Sequence, residues 1–147
     1  MKFVNRMELK VSATVENEAF VRTAISAFAL SLNPSLDEIS DLKTIVSEAI
    51  SNAIIHGYSC DSSKDVYIKA IIKENQIQIT INDYGIGIKN IKEAMSSSFS
   101  SKKNEERAGM GFSIMKALSD EFSIRSEENI GTRIYIVKNF KRNYQKV

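Results

Sequence analysis

Cysteine, histidine and proline each occur once in the 147 residues, and tryptophan does not occur. With Cys60 alone, no intramolecular disulfide can form and a cysteine-only metal site is excluded. His56 alone likewise excludes a multi-histidine site. No apolar run approaches the roughly 20 residues that cross a bilayer. Met1 to Lys10 lacks the apolar core of a secretory leader, so a cytoplasmic location is expected. Charge of one sign is also scarce in excess: 20 Lys and Arg against 18 Asp and Glu leave +2, too little to imply nucleic-acid binding. The one basic cluster, Lys138, Lys141, Arg142 and Lys146, reads as a solvated tail over 138–147. What is present is ordinary: 43% hydrophobic and 26% charged residues, in a length that suits one domain spanning 1–147.

Period-2 alternation at Met7, Leu9, Val11, Ala13 and Val15 predicts a half-buried strand over 7–15. Phe20, Val21, Ala24, Ile25, Phe28 and Leu32 fall at helical spacing over 17–32. Asn33-Pro34 ends that helix, because proline disfavours helical geometry in the residue before it. A second helix is predicted from Ser35 to His56, with Asp37 and Glu38 at its positive end and Gly57 as its stop. Strands follow over 66–73 and 76–82, joined by a turn at Glu74-Asn75. A polar segment over 96–107 reads as a loop. A short helix over 111–119 and strands over 122–126 and 132–137 complete the chain. Strands adjacent in sequence favour antiparallel pairing, so the expected fold is an α/β (α+β) two-layer sandwich: a mixed, mostly antiparallel sheet with helices on one face.

Three features carry chemistry only in combination. On the second helix Glu48 and Asn52 lie four apart and share a face. That face points away from the apolar stripe of Ile39, Leu42, Val46, Ile50 and Ala53, where polar residues are usually just solvated. Asp83-Tyr84-Gly85-Ile86-Gly87 places an aspartate where an isoleucine-rich strand leaves the sheet, and its glycines permit close ligand approach or a plain turn. Gly109-Met110-Gly111 stands before a helix, where exposed N–H groups suit a phosphate. Upstream, Lys102, Lys103 and Arg107 add positive charge or simply form a solvated loop. No Gly-x4-Gly-Lys-Ser/Thr loop and no dinucleotide fingerprint occurs. His56 at a helix end suits the negative end of the dipole if it is partly charged.

In order, Glu48-x3-Asn52, Asp83-x-Gly85-x-Gly87, Gly109-x-Gly111 and Gly131-Thr132 resemble the Bergerat-type ATP-binding fold of gyrase, Hsp90, histidine kinases and MutL. Within that superfamily Ser47 to Tyr58 and Arg107 to Phe112 resemble the anti-sigma factor serine kinases, the sporulation anti-sigma F factors most of all. The resemblance implies that Asn52 holds Mg²⁺ against ATP and that Asp83 accepts a hydrogen bond from the adenine amino group. It implies that Gly85 and Gly87 let backbone approach the nucleotide, and that Gly109, Met110 and Gly111 line the phosphates. A lid over about 96–110 would contain Ser100, Ser101, Lys102 and Arg107, and Thr132 would back the adenine. Glu48 would be the catalytic base for phosphoryl transfer.

The same resemblance implies a homodimer that inhibits a sporulation sigma factor and phosphorylates a serine of an anti-anti-sigma protein. Glu18 and Arg22 on the first helix are the expected partner contacts. Two other readings compete: an ATP-gated binding module without turnover, and the ATPase core of a larger machine. The presence of Glu48 speaks against the first, and the short chain against the second.

Overall fold

In the computed structural model, which describes residues 4–95 and 103–141 (side chains excepted at 103–110), the alternating segments form one five-stranded sheet. Strand β1 (Val4–Ser12) starts and stops three residues earlier than the alternation predicts. Past Ser12 the chain turns, with Thr14 N–H donating to Ser12 C=O, and Val15 becomes the N-cap of α1 (Glu16–Phe28) instead of a strand residue. A 3₁₀ turn over Ala29–Leu32 ends at Asn33, whose φ of 50° is left-handed, and Pro34 follows. Helix α2 (Leu36–Ser51) then starts from a capping box: Ser35 Oγ accepts from Glu38 N–H at 3.1 Å and Glu38 Oε1 accepts from Ser35 N–H at 2.9 Å.

The predicted single helix to His56 changes winding at Asn52. Over Asn52–Gly57 the chain forms a π-helical turn, and Tyr58 N–H reaches back five residues to Ala53 C=O at 3.0 Å. Strands β2 (Asp65–Lys73) and β3 (Gln76–Asp83) form a hairpin whose turn residue Glu74 has φ 57°. A short helix that the sequence did not announce, α3 (Ile91–Met95), precedes α4 (Lys103–Leu118). Helix α4 begins eight residues before the predicted 111. Its first turns are polar but contain no helix breaker before Gly109, so the absence of apolar periodicity misread them as loop. The hairpin β4 (Glu121–Glu127) and β5 (Gly131–Asn139) closes the domain.

The strand order is β1-β2-β3-β5-β4 and all four pairings are antiparallel. The helices lie on one face, α1 and α4 both packing on α2. Between the layers sit Ile68, Ile72, Ile77, Ile79, Ile81, Ile134 and Ile136 from the sheet, facing Ile25, Leu42, Ile45, Ile50, Ile54, Phe112 and Met115. Each such aliphatic side chain contributes about 2 kcal/mol by leaving water.

Lys138, expected in a solvated tail, instead lies in β5 and is largely buried. Its ammonium donates to Leu118 C=O at 3.0 Å and pairs with Asp41 at 3.6 Å. Phe140 is buried beside it, and Lys141 N–H donates to Glu38 Oε2 at 2.7 Å. The strand ends at Asn139 and the packed chain reaches Lys141, while Arg142 and Lys146 lie outside the described residues.

Candidate functional site

Helix α2 delivers Glu48 and Asn52 one turn apart, about 6 Å along its axis. The solvated face that α2 alone would suggest does not hold at Glu48, because Gly111 of α4 packs against its carboxylate. Glu48 is half-buried, and its carboxylate lies against Gly111: a Cβ on that glycine would stand 2.7 Å from Glu48 Oε2. Asn52, only 7% exposed, opens the π-helical turn, its N–H shared between Ala49 and Glu48 carbonyls. That turn packs on the ends of β3 and β5.

At the end of β3, Asp83 is 3% exposed and pairs in register with Thr132, itself buried. The Asp83 carboxyl accepts from Gly85 N–H at 2.9 Å, and the backbone N–H of Thr132 also favours its charged form. Burial nevertheless outweighs these bonds and raises its pKa from 3.8 to about 6. On its other side stands Gly57, where a Cβ would meet Asp83 Oδ1 at 2.7 Å. Gly57 C=O in turn accepts Ile86 N–H at 3.0 Å, and a Cβ on Gly85 would fall 2.0 Å from that carbonyl oxygen. The π-helical turn and the 83–87 loop therefore interlock backbone against backbone, which only glycine at both positions permits. Gly87 adopts φ +70° in the same loop.

The β4–β5 hairpin supplies the third wall. Ser126 Oγ shares a hydrogen bond with Thr132 Oγ1 at 2.8 Å, donates to Gly131 C=O at 3.0 Å and accepts from Ile88 N–H at 2.7 Å. Ser126 was missed from the sequence. Its signal was available: on β4 the inward positions run Phe122, Ile124, Ser126, a hydroxyl where the alternation asks for an apolar side chain. Tyr58 was quoted as part of the pattern but given no role. It is buried, and its hydroxyl binds Asp65 C=O and Tyr84 N–H, each at 2.7 Å.

Asn52, Asp83 and Thr132 are thus three of the four buried polar residues among those described, the fourth being Ser26 on α1. The proposed phosphate glycines are placed differently from the prediction. Gly109, Met110 and Gly111 lie inside α4, not at its start, so their position is not that of an open helix N-terminus. Arg107 lies in the same helix, and Ser100, Ser101 and Lys102 fall outside the described residues. His56 is also corrected: burial lowers its pKa from 6.5, which works against the partly charged imidazole expected at the helix end.

Glu18 and Arg22 share one face of α1 and are only partly exposed. Arg22 Nη1 lies 3.4 Å from Glu18 Oε1 and donates to Ser47 Oγ on α2 at 3.4 Å. Ser47 directly precedes Glu48 in α2. Among the described residues no group of three or more His, Cys, Asp or Glu could hold a metal, and no helix is long and apolar enough to cross a membrane.

Known proteins resemble this chain in sequence and in fold. The model of the histidine kinase-like ATPase domain matches residues 11–138. An anti-sigma F factor of Clostridium perfringens strain SM101 is 49% identical over 134 residues, 91% of this chain and 96% of that protein. One from Geobacillus sp. strain WCH70 is 46% identical over 134 residues, 91% and 92% of the two. In structure the chain resembles the RsbU and RsbW domains of a Mycobacterium tuberculosis protein, with a TM-score of 0.69 at 19% identity, over 97% of this chain and 34% of that one, and this likeness speaks for the fold alone. The chain belongs to the histidine kinase-like ATPase domains and, among them, to the family of anti-sigma F factors.

Proposed function

We propose that the chain is a cytoplasmic anti-sigma factor and ATP-dependent serine-protein kinase of sporulation. It binds a sigma factor and transfers the γ-phosphate of ATP to a serine of an anti-anti-sigma protein, acting as a homodimer. One observation carries the enzymatic part: a half-buried carboxylate, Glu48, stands one helical turn before the buried amide of Asn52, on a turn that also meets the buried Asp83. A general base near a phosphoryl acceptor and an oxygen ligand near the phosphates are the two groups this transfer asks of a protein.

In this reading Asp83 accepts the adenine amino group, and Gly85 and Gly87 let the backbone approach the nucleotide. Thr132 backs the base from β5, fixed by Ser126. Glu48 orients the attacking serine hydroxyl and takes its proton. Asn52 offers one neutral oxygen, which fits Mg²⁺, an ion that keeps several waters and relies on substrate phosphates. When bound, Mg²⁺ supplies charge neutralisation at the phosphates. Gly111, held against Glu48, and the α4 residues Arg107, Gly109 and Met110 belong to the phosphate side together with Ser100, Ser101 and Lys102. Glu18 and Arg22, on one face of α1 with Arg22 bonded to Ser47 of α2, form the protein-binding face.

The test is incubation with γ-labelled ATP, Mg²⁺ and a purified anti-anti-sigma protein, comparing wild type with Glu48→Gln. Label on a partner serine in wild type, reduced about 10²–10⁴-fold in the variant while ATP still binds, is the expected result. ATP binding without any transfer in wild type would leave an ATP-gated binding module and refute the kinase.

A further inference from the structure

The hydrogen-bond register of β2 and β3 breaks in a specific place. Across the two-residue turn, Lys73 pairs with Gln76, and the pairs continue through Ile71–Gln78 and Lys69–Thr80 to Tyr67–Asn82. Every second pair of an antiparallel ladder exchanges both backbone bonds, starting from the pair that closes a two-residue hairpin. The next such pair would be Asp65 with Tyr84, yet the pairing stops at Tyr67–Asn82. Instead, the Tyr58 hydroxyl stands between the two residues. It donates to Asp65 C=O at 2.7 Å and accepts from Tyr84 N–H at 2.7 Å, replacing the direct amide-to-carbonyl bond by a bridge one hydroxyl wide.

The residue displaced by this wedge directly follows Asp83. Gly85, one further on, donates its N–H to the Asp83 carboxylate, and Gly57, the residue before Tyr58, packs against that carboxylate. Tyr58 is thus bonded to the chain on one side of Asp83 and covalently joined to the glycine on the other. Tyr58 is 8% exposed and packs in the core, so its hydroxyl has little freedom to move.

We propose that Tyr58 is a positioning residue for Asp83: its hydroxyl, inserted where β2 and β3 would otherwise zip one rung further, turns the chain leaving β3 toward the π-helical turn and holds the carboxylate where adenine is read. Without the hydroxyl, Tyr84 N–H is free to bond Asp65 C=O directly. That closure draws residues 83–85 toward β2, away from Gly57. The inference rests on the reading of Asp83 as the adenine acceptor, and it adds the element that sets base selectivity.

The experiment measures the dissociation constants of ATP and of inosine triphosphate, which lacks the 6-amino group, for wild type and Tyr58→Phe. Wild type is expected to prefer ATP. In Tyr58→Phe the ATP affinity falls about tenfold, the worth of a well-made hydrogen bond, while inosine triphosphate binds nearly as before, so the preference collapses. If wild type binds both nucleotides alike, the adenine reading of Asp83 fails and the inference falls with it. Equal preference in wild type and variant overturns the inference and leaves that reading intact. An equal loss for both nucleotides makes Tyr58 a general structural residue and overturns it too. Independently of the variant's folding, amide exchange in wild type must show Tyr84 N–H protected; exchange at the rate of an exposed loop amide refutes the wedge.

Discussion

Replacing Asp83 by asparagine in the nucleotide-free protein is expected to raise stability at neutral pH, although it removes a residue of the site. The carboxyl is 3% exposed, and burial lifts its pKa from 3.8 to about 6, outweighing the N–H groups of Gly85 and Thr132. Because the folded pKa lies above the unfolded one, the stabilising contribution is fully present below about pH 4 and is lost as pH rises through 6. A gap of about two units corresponds to about 3 kcal/mol of destabilisation by the ionised form above pH 7. Asparagine avoids that cost but turns one N–H toward a backbone donor, which offsets about 1 kcal/mol. The net expectation is that Asp83→Asn exceeds wild type by about 2 kcal/mol at pH 7.5, with the advantage gone or reversed at pH 4. Urea denaturation of both proteins from pH 4 to 8 gives the difference directly, since other carboxylates titrate in both and cancel. A difference that stays flat across pH 5–7 would refute a carboxylate strained by burial. The same variant is expected to lose ATP binding, so that stability and function move in opposite directions.

Three further substitutions test other parts of the structure. Gly85→Ala forces a methyl to 2.0 Å from Gly57 C=O, so nucleotide binding should be lost and the melting temperature should fall, because backbone must shift to relieve it; unchanged binding by calorimetry would dissolve the proposed interlock. Ser35→Ala removes the Glu38 N–H acceptor of the capping box and should cost about 1 kcal/mol in chemical denaturation while leaving the nucleotide affinity alone. Arg22→Ala breaks a partly exposed pair with Glu18 and a long hydrogen bond to Ser47 Oγ, and stability should change by less than about 1 kcal/mol. Its binding to a sigma factor, measured by surface plasmon resonance, should fall at least about tenfold, and undiminished binding would remove Arg22 from the partner face.

Local pattern was enough to read most elements and the two-layer class. Alternation along 66–73 and 76–82 and the isoleucines at every second position announced β2 and β3 almost to the residue, because half-burial imposes period 2 on each strand separately. Ser35, Asp37 and Glu38 announced the start of α2 for an equally local reason, the unpaired N–H groups of a first turn. The glutamate, asparagine, aspartate and glycines proposed for the site could be singled out in advance only in combination, through the family resemblance that their order carries.

What tertiary structure decided was their surroundings. Nothing in the periodicity of α2 shows that α4 packs against the carboxylate of Glu48, because a helical wheel knows only its own core stripe. Burial works against the charge expected for His56, and Asp83 becomes an acid of about pKa 6, for the same reason: desolvation depends on neighbours from other elements. The winding change at Asn52, the approach of Gly85 to Gly57 and the Tyr58 hydroxyl between Asp65 and Tyr84 all arise where distant segments meet. Sequence sets which groups a protein has to offer and when each segment turns. Only packing fixes which of them leave water, and that desolvation makes their charges and hydrogen bonds worth several times what they are at the surface.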